Sequence, residues 1–368
     1  MLDLTYYMPT KMIYGPDCVK KNAALFPAYG KKCMIVSGKH SAKASGALDD
    51  VLAALKEYDI EWIQFDEVEQ NPLLSTCKRA GDLARKESVD FIIGIGGGSP
   101  LDATKAVSVF AKHDIQDEEI YSRSYQNDHL PFLLIGTTAG TGSEVTPYAV
   151  ITVDRDGRKK SVKDLFAEIS FCDYRYTCSL SYDVTVATAL DALSHCVEGY
   201  FCSKADTLSD LFAIQGIQLI FDVLTNAASD GSFTDKQKQK LYAASIYGGL
   251  VITKTGTSFC HSMGYFLTEE YQVAHGIACA VFMPEYLHRG FDYETKKADR
   301  LTYETDYTLG EMCSIIESFT DFQPFALPEA KRNALYELWK AADKFGSAPG
   351  EFTIEDAMEV LDRIFPIG

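Results

Sequence analysis

The stretch FIIGIGGGSPLDATKAV constrains the fold more than any other part of the chain. Phe91 to Ile95 are five apolar residues in a row, the pattern of a strand buried on both faces. Gly96, Gly97 and Gly98 follow, and a helical period begins at Ser99. Ser99 reads as the helix cap, Pro100 suits the first helical position, and Asp102 completes a capping-box-like spacing. Glycines between a strand and a helix let a ligand approach the backbone closely. The helix start adds free N–H groups and partial positive charge, which together make a seat for a pyrophosphate. The same glycines also suit a plain tight turn, and the run departs from G-x-G-x-x-G because Ser99 stands where the last glycine would be.

The surrounding pattern extends this local reading to a fold class. Up to about residue 180, β-branched runs alternate with helical stretches: KMIYG, KCMIVSG, IEWIQFD, DFIIGIG and PFLLIGT are the expected strands. Such alternation specifies a mostly parallel sheet covered by helices. AVITV, DRDG and KKSVK predict a hairpin appended to that sheet, and HDIQDEEIYSRSYQNDHL an insertion loop. CVKKNAALFPAY is expected to be one helix. From Asp183 onward the apolar periods are helical almost throughout. A Rossmann-like α/β domain over residues 1–180, followed by an all-α domain over 181–368, is the expected architecture.

Charge and composition narrow the function. A net charge of −17 with no dense Lys/Arg run argues against a nucleic-acid backbone as partner and disfavours an anionic membrane. The start lacks a signal-peptide pattern, and no uninterrupted apolar run reaches transmembrane length, so a cytoplasmic protein is expected. The ten cysteines form no CxxC pair and read as reduced, small hydrophobes.

Two further constellations carry chemistry. TTAGTGSEV again follows an expected strand, and Thr137, Thr138, Thr141 and Ser143 offer hydroxyls as a second nucleotide loop would. On the helical segment ALDALSHCVEGY, Asp191 and His195 are four apart and share a face, as either a hydrogen-bonded core pair or half of a metal site. Glu198 is expected to make a helix contact or to orient a ligand from outside. In CHSMGYFLTEEYQVAHG, His261 lies on a helix and His275 opens the next. If those helices pack against the one bearing Asp191, a carboxylate and three imidazoles converge. Such a set suits zinc or ferrous iron, with manganese, cobalt and nickel also compatible.

GGGSPLDATKAV, TTAGTGSEVTPYAV, DALSHCVEGY and HSMGY(x)9HG, in this order and at these intervals, resemble the iron-containing (group III) alcohol dehydrogenase family. The look is nearest to bacterial 1,3-propanediol and butanol dehydrogenases. The resemblance implies the two-domain architecture of the dehydroquinate synthase-like superfamily and a metal-dependent, NAD(P)-linked activity on small alcohols, diols or their aldehydes. It matches Asp191, His195, His261 and His275 to the metal ligands, with iron(II) ahead of zinc. Gly96, Gly97, Gly98, Ser99 and Asp102 match the pyrophosphate loop, and Thr137, Thr138, Thr141 and Ser143 the second cofactor loop. Asn71 and Lys160 fall at further cofactor contacts. A homodimer or larger assembly, paired through the N-terminal strands, is also implied.

Two positions depart from or refine the pattern. Gly38 stands where family members that prefer NAD typically carry an aspartate, and Lys39 and Lys43 are nearby; NADP(H) is therefore expected over NAD(H). Tyr265 replaces a histidine thought to help move the alcohol proton in many members, and is expected to shape the site while water or a cofactor hydroxyl relays the proton. Competing readings are a metal-assisted hydrolase of a phosphorylated substrate and a non-catalytic nucleotide-binding protein.

Overall fold

The computed structural model describes residues 4–228, 231–342 and 345–368. The described residues divide into two compact units, one from Tyr7 to Leu180 and one from Ser181 onward, and residues 4–6 go with the second rather than with the α/β domain expected over 1–180. Tyr6 goes with the second unit because its hydroxyl donates to the Leu250 carbonyl at 2.8 Å and its ring meets Phe212 edge-on.

The first unit contains β1 (Lys11–Tyr14), β2 (Lys32–Ser37), β3 (Glu61–Phe65), β4 (Phe91–Gly96), β5 (Phe132–Gly136), β6 (Ala149–Thr152), β7 (Lys159–Val162) and β8 (Ile169–Cys172). Six of them form one parallel sheet in the order β1-β8-β5-β4-β2-β3. Alternate residues build separate cores on its two faces, as the period of a strand requires. Ile35, Ile93, Leu133 and Phe171 face the helix Ala47–Glu57 through Val51 and Leu55. Met34, Ile92 and Leu134 face the helices Leu74–Lys86 and Gly98–Lys112 through Ala80 and Val107. From β2 the chain first steps outward to β3 and then returns to β4 on the other side of β2. That reversal is a topological switch point, where open α/β sheets bind ligands at the carboxyl ends of the strands.

Four expectations need correction. Strand β8 has no counterpart among the expected strands, because ISFC is short and has a polar Ser170; only its place between β1 and β5 buries both faces. The hairpin β6-β7 forms, but as a separate two-stranded sheet, tied to Leu73 by a single bridge at Thr152. The segment from Cys18 is a four-residue helix, Cys18–Lys21, followed by a 3-10 turn over Ala23–Tyr29, since Pro27 cannot continue an α-helix. The polar segment at 113–130 is also less loose than its composition implies: it holds a 3-10 turn and buries Ile120 and Tyr125.

The second unit is helical. Helix Tyr182–Phe201 is buried on every side from Ala189 to Phe201, with Asp191, Ser194, His195 and Glu198 buried among its apolar residues. Around it pack Thr207–Thr225, Asp235–Thr255, Phe259–Glu270 and His275–Ala280. Capping boxes at Thr234/Gln237, Thr308/Glu311 and Thr353/Asp356 fix where three helices start. Among the described residues, Thr207–Thr225 alone is long and apolar enough to cross a membrane by composition. Its apolar side is spent on the core, through Ala213, Ile217, Ile220 and Phe221.

Candidate metal centre and nucleotide loops

Three helices bring a cluster of donors together in the second unit. Asp191 and His195 lie one turn apart on Tyr182–Phe201, His261 is in the first turn of Phe259–Glu270, and His275 is the first residue of His275–Ala280. Gly276 makes the approach of the last helix feasible. A Cβ there would stand 1.8 Å from the Ala187 carbonyl oxygen and 2.7 Å from the Asp191 nitrogen, so only glycine lets this helix rest on the backbone next to Asp191.

The carboxylate oxygen Oδ1 of Asp191 faces three imidazoles, at 3.8 Å from His195 Nε2, 3.6 Å from His261 Nε2 and 3.8 Å from His275 Nε2. None of these is a hydrogen bond, so the simple Asp–His core pair is not what forms; Oδ1 is buried and accepts no hydrogen bond. The two ring nitrogens of His195 and His261 are 3.0 Å apart. Four donors around one ion at about 2.1 Å would be separated by about 3.4 Å in a tetrahedral arrangement. The observed separations bracket that value, and the donor types suit a borderline divalent ion. Burial alone would raise the Asp191 pKa, but the imidazoles outweigh it and hold the carboxyl well below its ordinary value.

Glu198 supports the cluster from behind. One oxygen accepts the backbone N–H groups of Ser258 and His261 at 3.1 and 3.2 Å, and the other pairs with His261 Nδ1. A proton held on Nδ1 leaves the Nε2 lone pair turned toward Asp191, the usual device for orienting a ligating histidine. Three of the ligand candidates are almost wholly buried, whereas the His275 side chain is 31% exposed, so the cluster opens to solvent on the His275 side. Tyr265 stacks on the His275 ring there, with centroids 5.6 Å apart and planes at 14°. Burial pushes its hydroxyl up to about 12, which keeps it protonated near neutrality. Tyr265→Phe is expected to leave turnover within about twofold and metal content unchanged, because the ring contact survives. A collapse of turnover with metal retained would show that the hydroxyl relays a proton.

Cys279 is more than the small hydrophobe that its sequence context suggests, because its sulfur belongs to this cluster. Ligand atoms of Asp191, His261, His275 and Cys279 all lie within 4.8 Å of one another. A signal for it is present in the sequence: Cys279 follows His275 by four residues, the spacing that joins His195 to Asp191.

In the first unit, the loops after β4 and β5 touch. Thr137 N donates to the Gly96 carbonyl at 2.8 Å. A Cβ on Gly97 would stand 2.9 Å from the Thr138 methyl, and one on Gly98 would stand 2.7 Å from the Thr141 methyl. Gly97, Gly98, Ser99, Thr138 and Thr141 stay partly exposed along this edge, beside the N-terminus of Gly98–Lys112. Gly38, at the end of β2, is close by: a Cβ there would lie 4.0 Å from the Pro100 ring. Lys39 and Lys43 are exposed.

The capping reading fails in detail. The helix begins at Gly98 with Gly97 as its cap residue, and Ser99 makes no cap bond; its hydroxyl accepts the Asn71 N–H at 3.2 Å. Asp102 accepts from the Ser143 hydroxyl at 2.5 Å and the Val150 N–H at 2.8 Å. The fully buried Lys105 completes this network, donating to Ser143 at 2.8 Å and to the Tyr148 carbonyl at 2.6 Å. Asp102 and Ser143 therefore tie the two loops together, and Thr137 Oγ1 is buried without a hydrogen-bond partner. Lys160 lies on β7 with its ammonium 4.3 Å above the Tyr121 ring.

Comparison with known proteins agrees with both halves. The family profile for iron-containing alcohol dehydrogenase matches residues 9–174, and that for the C-terminal part of the same family matches residues 185–342. The chain is 31% identical over 298 residues to a 1,3-propanediol dehydrogenase of Citrobacter freundii, covering 76% of this chain and 73% of that protein. It is 30% identical over 290 residues to an NADPH-dependent butanol dehydrogenase of Clostridium saccharobutylicum, covering 76% and 72%. An iron-containing alcohol dehydrogenase of Thermotoga maritima superposes with a TM-score of 0.90 at 33% identity, over 99% of this chain and 100% of that one. The chain belongs to the iron-containing alcohol dehydrogenase family.

Proposed function

We propose that this alcohol dehydrogenase interconverts small primary alcohols or diols with their aldehydes, uses NADP(H) in preference to NAD(H), and holds one divalent ion on Asp191, His195, His261 and His275. The convergence of three imidazole nitrogens on the buried, unsatisfied Oδ1 of Asp191 carries this reading. A bound divalent ion would supply Lewis acidity to the substrate oxygen, and the nicotinamide would exchange the hydride. The protein's own groups hold and orient. Asp191 offsets the positive charge of the ion, Glu198 keeps the His261 proton on Nδ1, and Tyr265 walls the open side beside His275. Gly97, Gly98 and the N–H groups of the helix they open would take the pyrophosphate, with Thr138 and Thr141 beside it. Asp102 and Ser143 brace these loops from inside.

The preference for NADP(H) rests on Gly38, which puts no carboxylate at the end of β2, and on the exposed Lys39 and Lys43. Gly38→Asp is expected to shift the ratio of kcat/KM for NADPH over NADH by at least about tenfold toward NADH, since a carboxylate binds ribose hydroxyls and repels a 2′-phosphate. A wild-type enzyme with a clear advantage for NADH would sink the preference. The substrate class follows the relatives named for propanediol and butanol oxidation. Self-association through the edge strand β1, which leaves Met12 38% and Tyr14 39% exposed, is part of the same proposal and is checked by solution mass. A cytoplasmic location accords with ten free cysteines.

The direct test is NADPH oxidation over a series of short aldehydes and diols, on enzyme reconstituted separately with iron and with zinc. Metal-dependent turnover supports the proposal. Metal-dependent hydrolysis of a phosphorylated compound with reduced nicotinamide unchanged, or cofactor binding without any turnover, would overturn it.

A further inference from the structure

We infer that Cys279 is a sulfur donor to the metal centre, so that the site is softer than the carboxylate and three imidazoles alone would make it. The inference rests on the metal reading above and concerns a residue that reading does not use. Helix His275–Ala280 places Cys279 one turn beyond His275 on the same face, and its sulfur stands 3.9 Å from His275 Nε2. As a fifth donor the sulfur would make angles of about 90° to 120° with its neighbours, and a nitrogen at about 2.1 Å and a sulfur at about 2.3 Å from one ion are then about 3.1 to 3.8 Å apart. Cys279 is fully buried, and its sulfur shares with Asp191, His261 and His275 a set of donor atoms no more than 4.8 Å apart.

A second observation points to the same space. Asp191 Oδ1 belongs to a side chain only 5% exposed, accepts no hydrogen bond, and faces the same imidazoles. A buried carboxylate oxygen of that kind calls for a cation. A cysteine kept as a small hydrophobe would be surrounded by apolar side chains; this one borders a carboxylate and two imidazoles. On coordination the Sγ–H bond gives up its proton to water as the Sγ–metal bond forms. Thiolate raises affinity for borderline-soft zinc more than for ferrous iron. Cys279 is thus a determinant of which metal the protein prefers, separate from which metal a cell makes available.

Cobalt(II) is the probe, because its visible bands report any bound site and its near-ultraviolet sulfur-to-metal charge-transfer band reports a thiolate ligand. Full-length wild type loaded with cobalt is expected to show both. Cys279→Ser is expected to keep the visible bands, lose the near-ultraviolet band, and lower the zinc-over-iron affinity ratio in competition by at least about tenfold. A measurement on the wild type alone guards against a variant that fails to fold. Visible bands without the charge-transfer band in wild type, or a charge-transfer band that survives Cys279→Ser, would overturn the role of Cys279 while leaving the metal centre in place. No cobalt uptake at all would overturn both.

Discussion

His261→Ala is expected to lower kcat/KM by about a thousandfold or more and to yield protein without stoichiometric metal. The size follows from losing a Lewis acid that contributes several kcal/mol, with each 1.4 kcal/mol or so equal to a factor of ten. His261 is the most connected of the donors: its Nε2 stands 3.0 Å from that of His195 and 3.6 Å from Asp191, and its other nitrogen pairs with Glu198. Removing it also leaves the Glu198 carboxylate buried without its imidazole. Glu198→Gln should sit between this variant and wild type, with metal affinity down by about 10- to 100-fold and recovery of rate at high metal concentration. Metal analysis and steady-state kinetics on the same preparations check both. Wild-type rates from metal-free His261→Ala would end the metal reading.

Gly276→Val is expected to destabilise the helical unit by about 1–3 kcal/mol or more and to abolish metal binding, although residue 276 has no side chain to bind anything. Even the Cβ of alanine would overlap the Ala187 carbonyl, at 1.8 Å, and backbone cannot rotate away as a flexible side chain can. The helix must lift from Tyr182–Phe201, carrying His275 away from Asp191. Gly310→Ala is the control, since nothing lies within 4 Å of a Cβ built there and the position is helical. That variant should lose neither stability nor metal. Thermal unfolding with and without zinc separates the two: wild type and Gly310→Ala gain stability from zinc, and Gly276→Val does not. Zinc stabilisation of Gly276→Val equal to that of wild type would show that the close approach at Gly276 is not what seats His275.

Much of this site is legible in the order of the residues. The run Phe91–Ile95 with its three glycines announces a strand, a loop and a helix because a central strand needs apolar residues on both faces and a turn that close needs no Cβ. Asp191 and His195 can be paired because the period of a helix fixes which residues share a face. What is less legible has specific causes. Strand β8 is too short and too polar at Ser170 to signal itself. Asp102 and Ser143 have the chemistry of ligand-binding groups, yet in the fold they bond each other, and no local pattern reveals a partner 41 residues away. Glu198 can be set outside the ligand group by its spacing, but its bond to His261 spans 63 residues.

The sequence alone determined the alternation that makes a parallel sheet, the change to helical periods near residue 180, the glycine loop and the types of donor available. Each of these is a property of residues within a few positions of one another, where backbone geometry sets the spacing. The tertiary structure decided the strand order that puts a switch point between β2 and β4, and the meeting of three helices at Asp191. It also decided whether Cys279 is filler or part of the cluster. Those outcomes depend on which faces can pack within van der Waals distance, and a single absent Cβ at Gly276 governs the closest of them.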